Sequence, residues 1–199
     1  MPTEIDFLFR NIMLLCFAVI VPCAAYFRIR SNATKEKLNR REEGMVVLIG
    51  LRLFGAAGML SMIAFLIDPA YMSWSSFSLP LWVRWLGVTR GVCSGFLWIY
   101  TFHHLGKNLT DTVVTRKEHT LITSGPYRWV RHPFYVSFAL LIFANTFAAA
   151  NWFIFLTCAA AFVFIVIRTD KEEANLIARF GDSYKEYMAR TGRFFPRFK

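Results

Sequence analysis

A chain of 199 residues, 56% of them hydrophobic and 21 of them Phe, carries more apolar surface than the core of one soluble domain can bury. Its formal net charge of +10 would suggest nucleic acid in a soluble protein, yet the basic residues gather in alternate loops between apolar runs, where anionic lipid head groups are the simpler partner. Composition and charge placement therefore exclude a soluble nucleic-acid-binding domain and point to an all-α integral membrane protein.

A spanning helix needs about 20 mostly apolar residues. The first such run covers about 7–27; Glu4 and Asp6 precede it and no basic segment does, so it reads as a retained helix and not as a cleaved leader. Arg28, Arg30, Lys35, Lys37, Arg40 and Arg41 follow it, which under the positive-inside rule puts the N-terminus outside. The second and third runs, about 45–67 and 81–103, flank a segment with Asp68, Pro69 and Pro80 that is poor in Lys and Arg and reads as an external loop. Arg90 falls within the third run, where a charge either faces a cavity or partner or snorkels to the interface. Gly87, Gly91 and Gly95 recur along the same helix at intervals that allow close helix packing. Cys16, Cys23, Cys93 and Cys158 lack metal-ligand spacing and read as small core residues, so no metal is expected.

Residues 103–133 form a polar, basic inward loop with a Gly125-Pro126 turn. The apolar stretch after it is too long for one upright helix and suits a hairpin, about 134–149 and 151–167. Leu176, Ile177, Phe180, Tyr184, Tyr187 and Met188 then recur at helical spacing, which predicts a cytoplasmic amphipathic helix over about 170–190. The walk gives about five transmembrane helices, with three in residues 1–104 and a site-bearing half in 105–199 whose C-terminus is cytoplasmic.

That half concentrates polar and aromatic groups at a membrane boundary. HTLITSGPYRWVRHPFY, from His119 to Tyr135, supplies Tyr127, Arg131, His132 and Tyr135, and the hairpin returns Arg168, Glu172 and Glu173 to the same side. Carboxylates and a guanidinium suit a zwitterionic ligand, and aromatic rings suit a sulfonium or an adenine. Taken alone, the same residues also serve as interfacial anchors.

GPYRWVRHPFY at 125–135, RTDKEEANLIARFGDSYKEYMARTGRFFP at 168–196 and HHLGKNL at 103–109 together resemble the C-terminal half of the isoprenylcysteine carboxyl methyltransferase family. The resemblance implies S-adenosylmethionine as cofactor, held by the inward loop, the last two helices and the tail. By the family's pattern His119, Thr120, Leu121, Ile122 and Tyr127 would line the cofactor pocket, His132, Pro133, Phe134 and Tyr135 would continue it, and Glu172 would contact the cofactor. Thr115 is the nearest match to a further contact upstream. Arg168 corresponds to the substrate-side arginine, and with Arg90 it would orient a carboxylate acceptor on a lipophilic molecule that reaches the site from the membrane lipids.

Phospholipid N-methyltransferases share the tail motifs more loosely. An amine acceptor must lose a proton, for which Glu173 or His132 would be the base. A membrane sterol or lipid reductase would use NADPH at the same place, and a non-enzymatic scaffold would bind neither cofactor.

Overall fold

The structure is a computed structural model that describes residues 2–32, 44–106 and 120–197. It is all-helical: α1 Glu4–Asn32, α2 Met45–Ile67, α3 Leu81–Leu105, α4 Pro133–Ala149, α5 Trp152–Phe180 and α6 Asp182–Arg190. By length and composition α1, α2 and α5 are each capable of crossing a membrane. Two other helices are less simple: α3 has 25 residues but carries Arg84, Arg90, His103 and His104, and α4 is apolar but has 17 residues, about 25 Å of rise.

The helices pack as two pairs, α3 on α4 and α2 on α5, with α4 against α5 and α1 along α3. Gly87 permits the first of these contacts, because a Cβ there would meet the backbone of Ala144 and Ala148 at 2.8–2.9 Å. Gly95 instead faces Ile20 of α1, and Gly91 stands beside Ala144, so the three glycines admit different neighbours. Cys93 is exposed, against the expectation that all four cysteines are core residues; it points away from the helix pairs.

Polar groups close the end of the bundle that holds the turn from α4 into α5. Asn151 caps α5 by accepting from the amides of Phe153 and Ile154, both at 3.1 Å, and its amide donates to the Met72 carbonyl at 3.0 Å. The preceding Ala150 takes a left-handed conformation at φ 49°, which turns the chain from α4 into α5. Arg10 donates to the last carbonyls of α2, Leu66 at 2.7 Å and Ile67 at 2.9 Å. Arg84, 5% exposed, donates from Nε and Nη2 to the Ala148 carbonyl near the end of α4, pairs with Asp6 at 2.7 Å and lies over the Phe9 ring. Cations at helix C-termini satisfy carbonyls that the helix cannot and oppose the negative end of its dipole. Beside them Phe9, Met13, Met62, Phe65, Met72 and Ile154 form the main buried cluster.

One element departs from expectation. The helix predicted to end near 167 runs on to Phe180, and the amphipathic segment predicted over 170–190 is divided between the end of α5 and α6. Residues 168–180 keep good helix formers and an apolar stripe, so nothing stops α5 until Gly181, whose φ of 57° suits glycine.

This polar lock carries a prediction. Arg84→Leu leaves the Ala148 carbonyl without its donor and Asp6 with only its contacts to Thr3, and is expected to cost about 3 kcal/mol, read as a lower unfolding temperature in detergent. Asp6→Asn, which leaves the contacts to Ala148 and Phe9 intact, should cost less than half as much.

Candidate functional site

The N-terminal end of α4 is approached through a turn that only one residue type allows. Gly125 has φ 59°, and a Cβ on it would collide with the His104 ring at the end of α3. From there a 3-10 helix, Gly125–Arg128, buries Pro126 and Tyr127. His132 occupies the N-cap of α4 and Pro133 its first position, where a missing amide hydrogen costs nothing.

Opposite this turn α5 continues past the apolar region and presents two faces. On one face Arg168 and Glu172 sit a turn apart, and both reach Tyr135. Its hydroxyl donates to Glu172 Oε2 at 2.7 Å and accepts from Arg168 Nη2 at 3.1 Å, and the guanidinium lies 5.8 Å from the ring centroid. The His132 ring stacks parallel to Tyr135 at 5.4 Å. Tyr127 lies close enough to Glu172 to be influenced by its charge, and burial first, then that charge, holds its phenol well above the usual tyrosine range. Tyr127 is therefore a neutral hydroxyl at physiological pH.

On the other face Glu173, 6% exposed, gathers two guanidinium groups and an imidazole. Its Oε1 accepts from Arg131 Nε at 2.8 Å and faces His132 Nε2 at 3.1 Å; its Oε2 pairs with Arg193 at 3.1 Å. Arg193 also pairs with Asp170. The Arg131 guanidinium reaches the carbonyls of Met188 and Thr191, and the Arg131 and His132 amides donate to Gly192 and Arg193 at 2.8 and 3.1 Å. Tyr187 closes the same seam by donating to the Tyr127 carbonyl at 2.6 Å. Burial pushes the Tyr184 and Tyr187 phenols upward, so these packed hydroxyls stay protonated.

The structure thus brings together Tyr127, His132, Tyr135, Arg168 and Glu172 from the sequence-based set. Leu121 and Ile122 are half-buried and Thr120 exposed in the extended segment before the turn, while His119 and Thr115 lie outside the described residues. Pro133 is buried at the start of α4; Phe134 turns toward α3, with ring centroids 5.4 Å from Phe102 and 6.0 Å from Trp98. Arg90 is exposed on α3 and joins none of the contacts just described. Glu173, a candidate base in the sequence reading, is instead engaged in ion pairs because α5 continues helically and turns successive residues to different faces. Sequence reasoning gave Tyr187 only a place on the apolar stripe of the tail helix and passed over Arg193, whose signal was its place in the tail motif.

Comparison with known proteins agrees with this geometry. Residues 87–178 match the model of the isoprenylcysteine carboxyl methyltransferase family. A human protein-S-isoprenylcysteine O-methyltransferase is 32% identical over 146 residues, covering 65% of this chain and 50% of that protein, and a methanethiol S-methyltransferase of Mycobacterium tuberculosis is 30% identical over 70 residues, covering 35% of this chain and 28% of that one. The chain spans about half the length of the isoprenylcysteine relatives from human, mouse and rat. A solved structure of a eukaryotic intramembrane Ras methyltransferase shares the fold, with TM-score 0.53 and 19% identity over 96% of this chain and 63% of that one. The chain is a membrane protein whose residues 87–178 are similar to the isoprenylcysteine carboxyl methyltransferase family.

Proposed function

We propose that this protein is a membrane-embedded, S-adenosylmethionine-dependent methyltransferase acting on the carboxylate of a lipophilic acceptor such as a prenylcysteine-like group. The observation that carries the reading is the Tyr135 phenol held between Arg168 and Glu172 at the inner end of the bundle. In this reading five helices cross the membrane, with the N-terminus outside and the site facing the cytoplasm, as the basic loops favour.

The residues present fit the cofactor. Glu172 is a half-exposed carboxylate available to ribose hydroxyls or an amine, and Tyr127, His132 and Tyr135 offer aromatic faces for an adenine or a cationic sulfur. Thr120, Leu121 and Ile122 would complete its wall from the loop side, with His119, Thr115, Pro133 and Phe134 as the remaining contacts implied by the family pattern. When bound, the cofactor supplies a methyl carbon activated by positive sulfur, which a carboxylate oxygen attacks as the carbon–sulfur bond breaks and a neutral thioether departs.

The protein's contribution is then alignment and exclusion of water. Arg168 would orient the acceptor carboxylate, and because its guanidinium already contacts Tyr135 it would do so without forming a tight bidentate pair that blunts the nucleophile. A carboxylate acceptor is ionised at neutral pH and needs no base. This favours O- over N-methylation, because the two candidate bases, Glu173 and His132, face each other inside the buried ion-pair cluster.

Calorimetry on the purified protein tests the reading. S-adenosylhomocysteine should bind saturably and NADPH should not, and Glu172→Gln should weaken the former about tenfold or more, equivalent to about 1.4 kcal/mol. Binding of NADPH alone would transfer the site to a reductase, and binding of neither by folded protein would leave a scaffold.

Glu173→Gln separates the two neighbouring carboxylates. Removing the buried charge from between Arg131, His132 and Arg193 should cost about 2–3 kcal/mol of stability, read as earlier thermal unfolding and earlier proteolysis of the tail after α6. In the protein that remains folded, affinity for S-adenosylhomocysteine should change less than threefold; a loss matching that of Glu172→Gln would make Glu173 part of the cofactor site.

A further inference from the structure

Between α1, α3 and α4, with Cys158 of α5 at one side, lies a cavity of about 250 Å³. Its wall is almost wholly apolar, formed by residues such as Met13, Ile20, Gly91, Phe138 and Ile142, with the Asn145 amide as the exception. It runs along the bundle from Gly87 and Ala148 near the outer end to Trp98 and Phe138 on the inner side. At that inner limit it comes within about one helical turn of the candidate site. Phe138 is one turn along α4 from Phe134 and Tyr135, and the Trp98 ring stands 4.6 Å from Phe102 and 6.0 Å from Phe134, which itself touches Tyr135. Among the described residues the buried indole N–H of Trp98 has no acceptor.

We infer that this cavity receives the apolar tail of the acceptor and limits it to about ten carbons. The inference rests on the methyltransferase reading and narrows its substrate class. Volume decides between the acceptors that the relatives' names suggest. A cavity of about 150 Å³ takes one benzene, so 250 Å³ corresponds to about ten carbons. A one-carbon thiol leaves such a chamber nearly empty, whereas a tail of three or four isoprene units exceeds it.

Selection must come from fit. A tail that leaves lipid for an apolar cavity gains little transfer energy, since both surroundings are hydrocarbon. It gains packing contacts when it fills the space, and an oversized tail forces side chains from their rotamers. Gly91 and Ala144 both line the cavity where α3 approaches α4, and a Cβ on residue 91 would stand in van der Waals contact, 3.5 Å, with the Ala144 methyl. Trp98 stands at the end nearest the site, and its buried indole N–H would be the donor available there to an acceptor atom joining head to tail, a carbonyl oxygen or a thioether sulfur.

The test uses the full chain in lipid nanodiscs with N-acetylcysteine acceptors S-alkylated by chains of one, two, three or four isoprene units, and with methanethiol. The two-unit tail should give the highest kcat/KM, at least fivefold above the one-unit and three-unit tails. Ile142→Ala should shift the optimum to three units, a gain that misfolding cannot produce, and Ile20→Phe should shift it to one. Trp98→Phe should raise KM for the tailed acceptors at least threefold with S-adenosylhomocysteine binding unchanged.

A photoreactive group at the tip of the two-unit tail supplies a readout independent of turnover. Labelling of α1 near Met13 and Ile20 or of α3 near Gly91 supports the cavity as the tail site, even were the protein to bind no methyl donor and the methyltransferase reading to fall. Equal use of three-unit and four-unit tails by the unaltered protein, preference for methanethiol with donor binding intact, or labelling confined to the outer faces of α2 and α5 would each overturn the inference.

Discussion

Glu173 holds together two parts of the chain that lie far apart in sequence. Arg131 and His132 come from the loop that enters α4, Arg193 comes from the tail beyond α6, and all three converge on one buried carboxylate of α5. A buried charge is tolerable only when its hydrogen-bonding capacity is filled, and here both oxygens are engaged. The backbone follows the side chains: the Arg131 and His132 amides bind carbonyls of Gly192 and Arg193, and Tyr187 binds the Tyr127 carbonyl. Filled networks of this kind favour a single arrangement over several. The loop that carries Tyr127 and His132 is thereby fixed against the helix that carries Arg168 and Glu172.

The adjacent carboxylates Glu172 and Glu173 illustrate how helix geometry divides work between identical residue types. Successive residues of a helix point about 100° apart, so one glutamate faces Tyr135 while the next faces the tail. The sequence pair EE says that two carboxylates are close in the chain and nothing about this division. Only the course of α5 past residue 167 determines it, and the break that would have altered that course comes later, at Gly181.

Apolar runs made the all-α membrane fold legible, since backbone groups in hydrocarbon must be satisfied within each helix and the requirement leaves long apolar segments in the chain. The dense motif from Gly125 to Tyr135 and the charged return at 168–173 likewise revealed the core of the site. What escaped the sequence are contacts set by three-dimensional neighbours. Arg84, six residues before Arg90 and identical in type, is the arginine that the fold uses, because it lies beside the free carbonyl of Ala148 and the carboxylate of Asp6, whereas Arg90 turns outward. Periodicity alone cannot distinguish the two, as the choice depends on where α4 ends. The continuous α5 was obscured for a similar reason: the change from apolar to charged residues near 168 marks a change of solvent, and was read as a change of structure.

That change of solvent within one helix explains why the site sits where it does. At 29 residues α5 is about 43 Å long, against about 30 Å of hydrocarbon, so about two and a half turns project beyond the apolar layer without a joint. Arg168 and Glu172 stand at the beginning of this projection, level with the first turn of α4, where Tyr135 meets them. A flexible connection at 168 would leave these three groups to find one another at an entropic cost for each ordered side chain. The helix removes that cost by carrying its own rigidity across the boundary. In the proposed reading an apolar tail would remain in the bundle while its polar head lay against charged groups in a polar environment, and the distance between the two environments is set by helical rise and not by loop conformation.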